Sequence, residues 1–153
     1  DLGYLTESVY KLVAKTKFPG MKVIEFGFDG KKDNEHLPVN YKENIVAYIG
    51  THDNAPVIGW YETLTKKEKS VVNNLIAPTS SDDLVDKLIS MIQTSVANTV
   101  IIQMQDYLHL GLEARFNTPS NKAGNWKWRL DEDYQSASLA KRIANITKKE
   151  SRC

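Results

Sequence analysis

The sequence has little cysteine, no long apolar run and almost no excess of either charge. Cys153 is the only cysteine among 153 residues, which excludes an internal disulfide and a cysteine cage for zinc. The 20 lysines and arginines nearly cancel 19 aspartates and glutamates, leaving a net charge of +1. Without a basic tract to neutralise phosphates, the electrostatic footprint of nucleic-acid binding is missing. No segment approaches the ~20 apolar residues that span a bilayer, and no secretory apolar stretch is present. His36 and His109 lack a partner at metal-ligand spacing and read as ordinary loop or helix-edge residues. These absences predict a protein of the reducing cytoplasm, with no metal, no nucleic acid and no membrane among its partners.

What remains describes a folded domain. Hydrophobic residues make up 41% and charged residues 25%, a balance typical of packed globular chains rather than disordered ones. Residues 4–16 carry Leu5, Val9, Leu12 and Val13 at helical spacing, with Thr6 as N-cap, and Pro19-Gly20 stops that helix. Residues 21–28 are β-branched and aromatic and predict a strand. The polar stretch 29–42 is a loop, and the apolar run 45–51 suits a strand buried in a parallel sheet. Helices are predicted over 57–64, 66–76 and 82–97, the last with Asp82 and Asp83 at its N-terminus and a stripe from Leu84 to Val96. A third strand is expected over 99–104, a helical or irregular turn from 107 to 116, a loop over 117–130, and a final helix over 134–149. Alternation of this kind predicts an α/β fold with parallel strands. Three strands are too few for a closed eight-unit barrel, which takes ~250 residues.

Three polar clusters could carry chemistry. The densest, Thr51-His52-Asp53-Asn54, follows the second strand, and sites in parallel α/β folds gather at the carboxyl ends of strands. An equally open reading has Asp53 or Asn54 cap the next helix. The second cluster is Gln105-Asp106 with Glu113, Arg115 and Asn117, where Glu113 and Arg115 could simply pair at the surface. The third, Gly124-Asn125-Trp126-Lys127-Trp128-Arg129, fits either sugar stacking or anchoring of the core. Carboxylate, amide and aromatic groups without metal spacing suit a neutral, hydroxyl-rich ligand. Asp53 is the best carboxylate for glycosidic chemistry, but a retaining mechanism needs two. Asp29, beside Gly30, reads as turn chemistry.

These motifs have a familiar order. Asp1-Leu2-Gly3, Pro19-Gly20-Met21-Lys22-Val23, Leu37-Pro38 with Asn40-Tyr41, Thr51-His52-Asp53-Asn54 and Gly59-Trp60 come first. Gln105-Asp106, Glu113-Ala114-Arg115-Phe116-Asn117-Thr118-Pro119 and Gly124-Asn125-Trp126 with Trp128-Arg129 follow. Together they resemble the 4-α-glucanotransferases of glycoside hydrolase family 77, the amylomaltases or disproportionating enzymes. The resemblance implies a partial (β/α)₈ TIM barrel, with residues 1–153 as the C-terminal part of the catalytic domain and its last three parallel strands.

It implies that Asp53 is the carboxylate that stabilises the transition state, and that His52 hydrogen-bonds the sugar where the covalent intermediate forms. Asn54, Asn117, Phe26 and Asp29 would contact glucan. The partners would be α-1,4-glucans, maltooligosaccharides and glucose, and no cofactor would be needed. The family's acid/base Glu would immediately precede Asp1, and its nucleophilic Asp would lie further upstream. The parent enzyme is therefore expected to transfer α-1,4-glucan segments to the 4-OH of an acceptor. The alternative for the chain alone is a non-catalytic fragment that self-associates and binds glucan weakly. Ala55-Pro56, Val39 and Ser120 depart from the family pattern.

Overall fold

The computed structural model describes residues 6–150 and residue 152. Leu5, the Asp1-Leu2-Gly3 motif and Cys153 therefore lie outside the described residues. Three short strands, β1 (Gly20–Val23), β2 (Ile45–Tyr48) and β3 (Thr99–Ile101), form one parallel sheet in the order β1-β2-β3. Met21 stands beside Val46 and Val46 beside Thr99, while Tyr48 lies between Val23 and Ile101.

Parallel neighbours need long crossovers, and the chain supplies one as a loop with 3₁₀ turns and the other as helices. After α1 (Glu7–Thr16) and β1, the segment from Ile24 to Tyr41 crosses to β2 with 3₁₀ turns at both ends. Helices α2 (Val57–Thr63), α3 (Lys66–Ile76) and α4 (Ser81–Gln93) then connect β2 to β3. The short α5 (Met104–Tyr107) and α6 (Ala137–Lys149) complete the chain.

Local chemistry sets most of these boundaries. Thr65 and Glu68 form a reciprocal capping box at the start of α3. The Ser80 hydroxyl accepts from the Asp83 N–H at the start of α4, and Ser136 does the same for Leu139 in α6. Helix α6 thus begins three residues after the position expected from sequence. Thr6 sits at the N-cap of α1 but makes no side-chain capping bond.

The first strand is the main departure. It ends at Val23, and Ile24–Gly27 coil into a 3₁₀ turn. The turn buries Ile24 and Glu25 while Phe26 stays 53% exposed. An extended run would have alternated these side chains between the two faces of the sheet.

The core lies on one side of the sheet. Ile45, Ala47 and Ile49 point into it and meet Leu84, Leu88, Ile89 and Ile92 of α4, with Val57 and Val72 beside them. Alternate strand residues turn the other way, where Thr99 is exposed and Ile101 is 45% exposed. Arg152 donates to the carbonyls of Gln93 and Ala97 and ties the end of the chain to the loop after α4.

Candidate functional site

The carboxyl end of β2 runs through buried Gly50 into a tight turn. The N–H and hydroxyl of Thr51 both donate to Asn54 Oδ1, at 3.0 and 2.8 Å, and the Asn54 N–H returns to the Thr51 carbonyl. The side chain of Asn54 is thus engaged in shaping the turn. His52 and Asp53 stand at its tip with side chains 58% and 46% exposed, their His52 Nε2 and Asp53 Oδ1 atoms 3.3 Å apart.

Neither Asp53 nor Asn54 caps α2. The Val57 N–H donates instead to Asp106 Oδ1, 2.8 Å away and 49 residues on in sequence. Asp53 is left free to face outward.

A second segment grips the turn. Asn117 Nδ2 donates to Asp53 Oδ1 at 2.6 Å, and the Asn117 N–H donates to the His52 carbonyl. Arg115 spans both segments: Nη2 donates to the Asp53 carbonyl at 2.6 Å and Nε to the Asn117 carbonyl at 2.9 Å. The surface pair expected between Glu113 and Arg115 does not form, because Glu113 accepts from the Gly111 N–H and Arg115 is committed to the turn.

The third sequence cluster packs beside them. Trp126 lies against the His52 ring at 5.3 Å, its backbone N–H donates to the Phe116 carbonyl, and Trp128 meets Phe116 edge-on at 5.4 Å. The aromatic loop therefore supports His52, with Trp126 itself 54% exposed.

His52, Asp53 and Asn54 line an open cleft of about 1450 Å³ that also takes in Phe26, His36 and Tyr48. The Phe26 ring meets His36 edge-on at 5.5 Å. His36 was not among the expected site residues. Its Nδ1 accepts from the Val23 N–H at 3.1 Å, which leaves Nε2 as the protonated nitrogen of the neutral ring. Burial, followed by the charge of Lys22, holds its pKa below the ordinary histidine value. Asp29 is placed elsewhere: it is exposed, accepts from the Lys31 N–H at 2.9 Å, and does not line the cleft. Asn117 acts behind Asp53 rather than on the cleft wall.

His109 also has a larger role than its isolated position in sequence implied. Its backbone is left-handed, with φ 55°. Its Nδ1 lies 3.6 Å from Asp82 and its Nε2 3.1 Å from Asp86 of α4, and Arg142 of α6 approaches Nε2 at 3.2 Å. Among the described residues no group of three or more His, Cys, Asp or Glu could hold a metal ion.

A family model for 4-alpha-glucanotransferase matches residues 1–135. The chain belongs to that family. It is 46% identical over its whole length to a 4-alpha-glucanotransferase of Clostridium butyricum, of which it covers 32%. It is 41% identical over 95% of its length to the chloroplastic/amyloplastic DPE1 4-alpha-glucanotransferase of Oryza sativa, covering 25% of that protein. The chain thus spans about a quarter to a third of the length of the curated relatives it matches. Among solved structures, an amylomaltase from Streptococcus agalactiae in complex with acarbose superposes with a TM-score of 0.87 at 35% identity. That match covers 99% of this chain and 31% of the amylomaltase. An amylomaltase from Corynebacterium glutamicum, 16% identical with a TM-score of 0.66, shares the fold.

Proposed function

We propose that the protein containing this chain is a retaining 4-α-glucanotransferase, which moves α-1,4-glucan segments onto the 4-OH of another glucan or of glucose. The observation that carries the reading is Asp53: a carboxylate at the carboxyl end of the middle strand, in an open cleft, held through Oδ1 by Asn117 at 2.6 Å. The three parallel strands, with α2, α3 and α4 packed on one face of the sheet, fit the last three units of a (β/α)₈ barrel. Residues 1–153 are then the C-terminal part of the catalytic domain. A cytoplasmic location belongs to the same proposal. Among the described residues no helix is long and apolar enough to cross a membrane.

In this mechanism a carboxylate nucleophile attacks C1 of the donor sugar. The C1–O4 bond breaks, and an acid/base group gives its proton to the departing O4. The acceptor 4-OH then attacks C1 from the same side and returns a proton to that group, releasing the nucleophile. Both steps pass through an oxocarbenium-like transition state. Asp53 lies beside the ring and offsets its positive charge, an electrostatic effect strongest where the carboxylate is already oriented. His52 orients sugar hydroxyls, Phe26 offers an exposed ring for stacking and Asn54 lines the same cleft, whereas Asn117 and Asp29, both off the cleft wall, would meet glucan only outside it. Of these, Asn117 is best situated to hold Asp53 itself. No cofactor takes part.

Asp53→Asn in the full-length protein should lower glucose release from maltotriose by about 10²–10³-fold, with the circular dichroism spectrum unchanged. Turnover within tenfold of wild type would overturn the assignment.

A second reading concerns the chain by itself. Among the described residues the carboxylates lining its cleft are Asp53 and Glu35, and Glu35 is tied to Lys22 at 2.7 Å. In this reading the nucleophile and the acid/base come from outside the described residues. The isolated 153-residue chain then releases no glucose from maltotriose and self-associates through its uncovered sheet face. Robust glucose release by pure chain, or a strictly monomeric species in light scattering with no hydrophobic-dye binding, would contradict it.

A further inference from the structure

Beneath the Thr51–Asn54 turn lies a carboxyl group that the transfer reaction does not use. Glu25 is 6% exposed, and neither of its carboxyl oxygens has a hydrogen-bond partner. Asp106, 1% exposed, satisfies Oδ1 on the Val57 N–H but leaves Oδ2 equally bare. The nearby geometry is tight. A Cβ placed on Gly50 would fall 2.8 Å from Glu25 Oε1 and 3.1 Å from the Asn54 Cβ. The Glu25 carboxyl is therefore packed onto the backbone of Gly50 and against Asn54, the residue that closes the turn. The cluster draws on the ends of all three strands: Glu25 after β1, Gly50 and Asn54 after β2, and Asp106 after β3.

We propose that Glu25 is a positioning residue for Asp53: its carboxyl group is wedged under the Gly50–Asn54 turn and sets how that turn sits on its anchors, Asn117 and Arg115. The inference rests on the reading of Asp53 as the carboxylate of the glucan site.

The electrostatics agree with the packing. A buried carboxylate with no well-formed hydrogen bond is strongly disfavoured, so such a group takes up a proton. Burial pushes the Glu25 carboxyl well above the ordinary range, and the Asp106 charge adds to that effect. Arg115 and the Asn54 side chain act in the opposite direction without reversing it. Burial raises Asp106 to about 6, against the pull of the Val57 N–H and of His109. Two neighbouring buried carboxyls resist joint ionisation, and Asp106 is the one with a backbone donor. Because folding raises the pKa of Glu25 above its unfolded value, its stabilising contribution is present in acid and is lost as pH rises through the folded-state pKa.

The full-length protein with Glu25→Gln tests the proposal, since glutamine keeps the shape and cannot ionise. The kcat of wild type should decline on the alkaline side, while E25Q matches wild type in mild acid and stays at least ~5-fold more active at the alkaline end, with KM unchanged. The Tm of E25Q should exceed that of wild type by about 3 °C near pH 8 and coincide with it near pH 4.5. Superimposable kcat profiles would overturn the proposal. A carbon-13 titration of the wild-type Glu25 carboxyl needs neither a variant nor activity, and a midpoint in the ordinary carboxylate range would also overturn it. Full turnover by Asp53→Asn would instead remove the parent reading while leaving that titration interpretable.

Discussion

Helices α1 and α4 have similar amphipathic patterns and opposite surroundings. In α4 the stripe Leu84, Val85, Leu88, Ile89 and Ile92 is buried against the sheet. In α1 no residue is buried, Leu12 is 59% exposed, and Val9, Leu12 and Val13 line the open cleft. The sheet repeats the contrast, since Ala47 and Ile49 are fully covered while Ile101 on the other side is 45% exposed. Apolar periodicity tells that a stripe exists; the covering partner is decided by tertiary neighbours. Here the covered side supplies stability, and the uncovered side carries the candidate chemistry.

Mutations can break that contrast. Leu88→Ala, in the middle of the covered stripe, should cost about 2–5 kcal/mol in urea unfolding. Asn117→Ala loosens the grip on Asp53 without opening the core. In the full-length protein it should lower turnover by about 10–100-fold, because small displacements of a reacting group are costly, while Tm changes little. Ser80→Ala removes the hydroxyl that accepts from Asp83 N–H and should cost about 1 kcal/mol. Leu12→Ala in the isolated chain should change stability by less than about 0.5 kcal/mol. If Leu12→Ala proved as damaging as Leu88→Ala, the stripe of α1 would be covered in solution and the contrast would fail.

The parts legible in the sequence are those governed by local rules. The α4 stripe as far as Ile92, the helices expected over 57–64 and 66–76, and three strands in α/β alternation follow from periodicity and turn residues, whereas Val96, expected in the stripe, lies beyond the end of α4 and is 57% exposed. The Thr51-His52-Asp53-Asn54 cluster stood out because a buried strand ended in polar side chains. Other features depend on partners far away in sequence. Arg115 reaches Asp53 across 62 positions, and Asp106 reaches Val57 across 49. No spacing rule relates such pairs. The strand expected over 21–28 stopped early because Ile24–Gly27 form a 3₁₀ turn that buries Glu25, although their composition favours a strand. His109 looked isolated because its partners, Asp82, Asp86 and Arg142, lie on two helices that meet only in the folded chain.

The central claim is that Asp53 faces a bound sugar. A crystal structure of the full-length protein soaked with acarbose tests it most directly. The account predicts a sugar ring in the cleft with the Asp53 carboxylate within about 3.5 Å of it and His52 in hydrogen-bond reach. Acarbose bound away from the Thr51–Asn54 turn, with Asp53 still held by Asn117 and facing solvent, would contradict it.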